Sequence, residues 1–262
     1  MTELLKGKRA LVMGVANDHS IAWGIARALH GAGAELCFSF QGDAFGKRVE
    51  PLAKSLGSDF LLDLDVTNDA SLDAGFAEIE KRWGSLDIVV HAIAFSDKNE
   101  LTGRFINTTR NNFKNSLTIS CYSLIDVARR AEPLMKNGGS IITLTYAGSN
   151  RVTPFYNVMG VAKAALESSV RYLANDLGPD GIRVNAISPG PMKTLAGAAI
   201  GGARKTFRHT EANAPLRANA TLDAIGGTAV WLSSEWGAST TGEIILVDGG
   251  YHVLGMPQSE NL

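Results

Sequence analysis

Short apolar runs alternate with helix-patterned stretches along the chain, and this alternation constrains its fold more than any other feature. The runs are Arg9–Met13, Glu35–Phe40, Phe60–Leu64, Ile88–Ala92, Ser140–Thr145, Arg183–Ile187 and Glu243–Val247. They are short, β-branched and apolar on both faces, as buried parallel strands must be. Helical periodicity fills 20–31, 44–56, 69–83, 109–136, 156–177 and 221–234. Alternation of this kind predicts an α/β fold: a doubly wound, seven-stranded parallel sheet with right-handed crossovers. No internal repeat or linker interrupts it, and 262 residues with 45% hydrophobic content suffice for one large core. One domain spanning 1–262 is therefore expected.

One region breaks the rhythm. Residues 190–219 hold Gly190-Pro191, Gly197, Gly201-Gly202 and Pro215 among small residues. A segment this long between a strand and the next helix predicts a lid or binding loop. The net charge of −1 gives no field directed at nucleic acid or an anionic membrane. No run approaches the roughly 18 apolar residues of a membrane span, and Met1–Lys6 has no signal-peptide core. Cys37 and Cys121 lack metal spacing and sit in apolar stretches, so buried free thiols in a reducing cytoplasm are expected.

The first strand runs into Gly14-Val-Ala-Asn-Asp-His-Ser20-Ile21-Ala-Trp-Gly24, which lacks the middle glycine of G-x-G-x-x-G. The loop feeds a helix that Ser20 could cap, whose first N–H groups would meet a pyrophosphate. An ordinary βα loop is the alternative. At the end of the second strand, where an acid usually holds the adenosine ribose, the chain reads Phe40-Gln41-Gly42-Asp43. Gln41 can still bond a hydroxyl or the adenine edge, and Asp43 would repel a 2′-phosphate. These residues favour NADH over NADPH. Asp65 and Val66 follow the third strand and suit an adenine, although Asp65 could equally be a helix cap. His91 ends the fourth strand and is read as structural rather than as a base.

Tyr146, Tyr156 and Lys163 form the chemical centre of the sequence. If Tyr156 opens a helix, Lys163 lies nearly two turns on, about 10 Å away and on the same face. A cation near a phenol favours phenolate and lowers its pKa. Such a phenol can donate a proton or hold an oxyanion. A core tyrosine with a snorkelling lysine is the plain alternative.

Several separated motifs carry a family resemblance. Val184-Asn185-Ala186-Ile187-Ser188-Pro189-Gly190-Pro191 and Val247-Asp248-Gly249-Gly250 resemble the short-chain dehydrogenase/reductase superfamily, with its Rossmann-like fold. Two departures narrow the match: six residues, not three, separate Tyr156 from Lys163, and the loop lacks T-G-x-x-x-G-x-G. Both departures, with Tyr156-Asn157-Val158-Met159-Gly160 and Thr194-Leu195-Ala196, resemble the NADH-dependent enoyl-[acyl-carrier-protein] reductases of bacterial type II fatty acid synthesis.

That resemblance implies hydride transfer from NADH to the β-carbon of a trans-2-enoyl thioester on acyl carrier protein. It implies that Tyr156 holds the enolate oxygen, that Lys163 holds the nicotinamide ribose, and that Tyr146, the third catalytic residue, shapes the acyl site and assists proton delivery. Gly14, Ser20, Ile21, Gln41, Asp65, Val66 and Ile93 would line the dinucleotide. Met192, Thr194, Leu195 and Ala196 would meet its nicotinamide side. Ser96, Met159, Ile200 and Ala203 would face the substrate. The resemblance also implies a homotetramer, consistent with apolar residues beyond one stripe on 109–136 and 156–177.

Ala94 stands where the family commonly has glycine, and Ala203 where a bulky apolar residue is frequent. These departures bear on chain-length preference and inhibitor sensitivity, not on the reaction. Arg204, Lys205 and Arg208 form a basic cluster on the lid that an acidic carrier protein could meet, or that is simply a solvated face. A carbonyl reductase and a non-catalytic dinucleotide binder are the competing readings. The absent Tyr-x-x-x-Lys argues against the first, and the intact Tyr156 and Lys163 against the second.

Overall fold

A computed structural model of the chain describes residues 3–198 and 202–261. Seven strands form one parallel sheet in the order β3-β2-β1-β4-β5-β6-β7. They are β1 (Arg9–Met13), β2 (Glu35–Phe40), β3 (Leu61–Asp63), β4 (Ile88–His91), β5 (Gly139–Leu144), β6 (Ile182–Pro189) and β7 (Ile244–Val247). All seven predicted runs are strands, with ends shifted by a residue or two. The strand order reverses beside β1, where Leu11 faces Cys37 of β2 on one side and Val89 of β4 on the other. Crossovers diverge at such a point, leaving a crevice at the carboxyl ends of the strands.

The continuous apolar character of the strands has its cause in two cores, one on each face. Leu11 and Met13 of β1 pack with Phe76, Ile79, Val127 and Leu166. Their neighbours Ala10 and Val12 pack on the opposite face with Ile25, Leu29, Ile225 and Leu232. Helices α3 (Asp69–Trp83), α5 (Ser123–Ala131) and α6 (Asn157–Leu177) cover the first face. Helices α1 (Ile21–Gly31), α2 (Gly42–Ser55) and α9 (Leu222–Ser233) cover the second. Each fully buried Leu or Ile is worth about 1.5–3 kcal/mol, so the cores hold the strand tips that carry the site.

The helix expected over 109–136 is a composite. Helix α4 (Arg110–Leu117) begins at Thr109, whose side chain accepts from the Asn112 N–H. It passes through a π turn at Thr118–Tyr122 into α5, and a 3₁₀ turn at Glu132–Leu134 ends the run. The lid region also differs from the expected loop. It contains α7 (Leu195–Ala198) and α8 (Ala203–Asn213). The far end of α8 is tied to the C-terminal segment: Gln258 N donates to Asn213 Oδ1 at 2.9 Å, and Asn261 Nδ2 to the Ala212 carbonyl at 3.2 Å.

The sheet ends at β7, whose outer side pairs with no strand among the described residues. Its four residues are only partly covered, and Leu246 is 39% exposed.

Candidate active site

Tyr156 sits at the N-cap position of α6, immediately after β5 and a 3₁₀ turn have brought the chain across the carboxyl end of the sheet. Its neighbours Phe155 and Asn157 both adopt positive φ, 62° and 35°. Left-handed backbone at non-glycine residues is costly and persists only where the surroundings enforce it. Asn157 is held by Nδ2 donating to the Glu100 carbonyl at 3.2 Å. The Tyr156 ring meets Tyr146 edge-on, with centroids 5.1 Å apart, and packs with Leu101 and Met159. Gly148 makes room for it: a Cβ there would collide with the ring. Tyr156 is 6% exposed, yet it lines the cleft, and its hydroxyl bonds no protein group among the described residues.

Lys163 follows two turns later on α6 as the spacing predicts, is 5% exposed, and donates from Nζ to the Leu144 carbonyl at 2.7 Å. Burial lowers its pKa to about 8, against the opposing pull of Cys121 and Glu167. The expected depression of the Tyr156 pKa is not what the structure gives. Burial pushes the phenol well above its ordinary value, and Tyr146 and Glu167 raise it further. Removing a phenolate from water outweighs an ammonium whose proton is already committed to a carbonyl. Tyr156 is therefore a neutral donor. Glu167, one turn beyond Lys163, accepts from Thr145 Oγ1 at 2.6 Å and so ties α6 to the tip of β5.

The cleft beside these side chains, of about 240 Å³, lies at the tips of β1, β4, β5 and β6. Gly14, Ser20, Ile21, Ile93, Tyr146, Tyr156, Lys163, Met192, Thr194, Leu195 and Ala203 line it together. Gly14 has φ 93°, and a Cβ on it would strike the Ala92 carbonyl oxygen, so β1 and β4 can approach only with glycine there. Ser20 does not cap α1. Its Oγ accepts from the Ala16 and Asn17 N–H groups, at 3.0 Å each, and staples the loop. The Ile21 and Ala22 N–H groups have no partner among the described residues. Free helix-start donors, a glycine-only approach and a buried ammonium fit a dinucleotide.

Gln41, Asp65 and Val66 stand apart from this cleft, farther along the same edge of the sheet at the ends of β2 and β3. Asp65 is not a helix cap: Asn68 caps α3, accepting from the Ser71 N–H. Although burial alone would raise its pKa, hydrogen bonds from Thr67 and Gln41 bring it below the usual carboxylate value. Helix α7 carries Ala196, and Ile200 lies outside the described residues.

Ser96 and Met159 line a second cavity, of about 710 Å³, on the other side of Tyr156. A buried network absent from the sequence expectations builds its wall. Asn112 Oδ1 accepts from the Asp97 N–H at 3.0 Å, and Ser116 Oγ donates to Ser96 Oγ at 2.9 Å. Ser120, in the π turn, accepts from the Phe95 N–H at 3.0 Å. These serines have no pattern that separates them from ordinary helix polar residues.

His91 is fully buried between Thr143 Oγ1 at 3.0 Å and Ser123 Oγ at 2.8 Å, which makes it structural, as expected. Burial, with a smaller push from Lys163, lowers its pKa to about 3. The unfolded chain therefore takes up a proton that the native ring refuses. Its contribution to stability is complete above pH 6.5 and is lost as pH falls toward 3. Wild type should lose about 2 kcal/mol more than His91→Gln between pH 6.5 and 5 in urea unfolding. Equal losses in the two proteins would refute this assignment.

A doubly wound sheet with a buried lysine and tyrosine beside a free helix start defines a dinucleotide-binding oxidoreductase of the short-chain type. Comparison with known proteins narrows it. The family model described as enoyl-(acyl carrier protein) reductase matches residues 14–252. The chain is 56% identical to enoyl-[acyl-carrier-protein] reductase [NADH] 2 of Rhizobium meliloti, over 100% of this chain and 98% of the other. The crystal structure of FabI from Candidatus Liberibacter asiaticus superposes with a TM-score of 0.97 at 53% identity, covering 98% of this chain and 100% of that one. An Anaplasma phagocytophilum enoyl-(acyl-carrier-protein) reductase, solved in complex with NAD, gives 0.95 at 53% identity and 98% coverage of both chains. The chain belongs to the enoyl-[acyl-carrier-protein] reductase family.

Proposed function

We infer that the protein is an NADH-dependent enoyl-[acyl-carrier-protein] reductase, which saturates the trans-2 double bond in the last reductive step of the fatty acid elongation cycle. One observation carries the chemistry. A buried, neutral phenol whose hydroxyl bonds no protein group among the described residues lines the same cleft as a buried ammonium. When bound, NADH supplies the hydride.

Tyr156 donates to the thioester oxygen, where negative charge develops once the β-carbon has been attacked, and its burial excludes the water that would weaken that bond. Lys163 moves its proton donation from the Leu144 carbonyl toward the ribose hydroxyls. The Ile21 and Ala22 N–H groups hold the pyrophosphate. Tyr146 keeps the Tyr156 ring oriented and walls the acyl site, and Ala203 borders that site from α8. Ser96 and Met159 meet substrate from the second cavity.

The basic residues Arg204, Lys205 and Arg208 are exposed on α8 and suit an acidic carrier protein. Exposed Phe113, Tyr122 and Ile125, with Val161 and Tyr172 of α6, support a homotetramer; a monomer by light scattering would overturn that assembly. No helix among the described residues is long and apolar enough to cross a membrane, and both cysteines are buried free thiols, which supports action in the cytoplasm.

The deciding experiment follows NADH oxidation with crotonyl and longer trans-2-enoyl thioesters, on coenzyme A and on carrier protein. Rapid oxidation is expected. Turnover of ketones without any enoyl thioester would place the protein among the carbonyl reductases instead.

A further inference from the structure

At the adenosine end of the sheet, β2 stops at Phe40 and offers no acid of its own. The adjacent strand supplies one. Asp63 closes β3 directly opposite Phe40 in the β2–β3 register, and its Oδ1 accepts from the Gly42 N–H at 2.8 Å. Gly42 opens α2, a helix of 14 residues whose N-cap residue, Gln41, makes no side-chain cap. Asp63 thus caps α2 from across the sheet.

A helix start attracts anions, and here the chain meets that attraction with its own carboxylate. Asp43 adds a second negative charge in the first turn of α2, and Asp65, whose Oδ1 accepts from the Thr67 N–H at 2.8 Å, follows β3. The nearby cations do not offset them, since Lys47 and Arg48 lie in the next turn and the Arg48 guanidinium rests 5.9 Å over the Phe45 ring.

We propose that Asp63 is a specificity-determining residue of the dinucleotide site. Its carboxylate occupies the anion-attracting start of α2 that a 2′-phosphate would need, and it offers its second oxygen to an unphosphorylated ribose hydroxyl. The proposal rests on the NADH reading above. A phosphate brought within a few ångströms of a carboxylate at a protein surface is disfavoured by about tenfold or more.

The test is a set of dissociation constants for NAD+ and NADP+, measured by calorimetry on wild type, Asp63→Asn and Asp63→Ala, with thermal melts in parallel. Asparagine keeps an oxygen for the Gly42 N–H and drops the charge. In Asp63→Asn the ratio of the NADP+ to the NAD+ constant should fall about tenfold, with NAD+ affinity held within about threefold. Asp63→Ala, which also loses the cap, should lower the same ratio. An unchanged ratio in Asp63→Asn, with wild type still preferring NAD+, overturns the role of Asp63 alone. Wild type that binds both dinucleotides equally overturns the cofactor preference, and the proposal with it.

Discussion

Replacing Tyr156 by phenylalanine lowers kcat for trans-2-enoyl thioesters by about 10²- to 10³-fold, the cost of one donor to a developing oxyanion. The KM for NADH stays within about threefold. The substitution is close to isosteric. The ring keeps its edge contact with Tyr146 at 5.1 Å and its packing on Leu101 and Met159, so the site stays built. Only the hydroxyl goes, and it bonds no protein group among the described residues, so its removal strands no partner. The melting temperature should therefore hold or rise slightly. Steady-state kinetics of the two proteins, with matched melting curves, make the measurement. Equal kcat values would move the donor elsewhere, with Tyr146 the next side chain to change.

Lys163→Met separates activity from stability. Methionine fills the lysine's channel without its charge, and NADH turnover should fall by at least about 10²-fold for want of a cation at the ribose. Stability runs the other way. Burial takes Lys163 from its ordinary 10.5 to about 8, a native-state cost of roughly 3 kcal/mol at neutral pH. Losing the bond to the Leu144 carbonyl costs about 1–3 kcal/mol in return. The melting temperature at pH 7 should thus be unchanged or raised, and a drop of more than about 5 °C contradicts the argument.

The pH dependence of Lys163 has a definite sign. Between about pH 8 and 10.5 the native protein has released a proton that the unfolded chain still holds, so wild-type stability climbs relative to Lys163→Met across that window. With Lys163 in its proposed role at the ribose, NADH affinity should decline as pH rises through about 8.

The parts of the fold that were readable in advance are those written as periodicity. Ala10 to Met13 alternate between two cores, and a strand buried on both faces can be recognised by the absence of any polar side. The Tyr156–Lys163 spacing was readable for a similar reason, since helical pitch alone puts both on one face. Helix α8 was not, because Ala-Arg-Lys-Thr-Phe-Arg-His-Thr-Glu-Ala-Asn buries only Thr210 and Asn213 and shows no apolar stripe. The π turn at Thr118–Tyr122 leaves no trace in a hydrophobic pattern either, since one extra residue in a turn shifts the phase too little.

The differences at the site share a cause. Ser20 stands at the expected helix start but bonds the loop, because a hydroxyl there can turn toward the helix or back to the loop behind it. The sequence shows Tyr156 only its lysine neighbour, whereas burial by the whole Tyr146–Leu101–Met159 cluster decides its ionisation. Asp63 carries no signal in the sequence because its partner, Gly42, lies on another strand's connection, and register between strands is invisible in one sequence. Local order can be read from neighbours along the chain. Pairings between distant segments need the assembled sheet.

The open side of β7 bears on how the protein can fail. Ile244, Ile245, Leu246 and Val247 make a short apolar strand, rich in β-branched residues, whose outer margin pairs with no strand among the described residues. Such a margin is a template on which a stray strand can grow, and amyloid-like stacking begins at edges of this kind. The exposed carboxylate of Glu243, at the entrance to the strand, is the charge placed to discourage it. Losses on storage or in overexpression should therefore track how well that margin is covered more closely than how firmly the two cores hold.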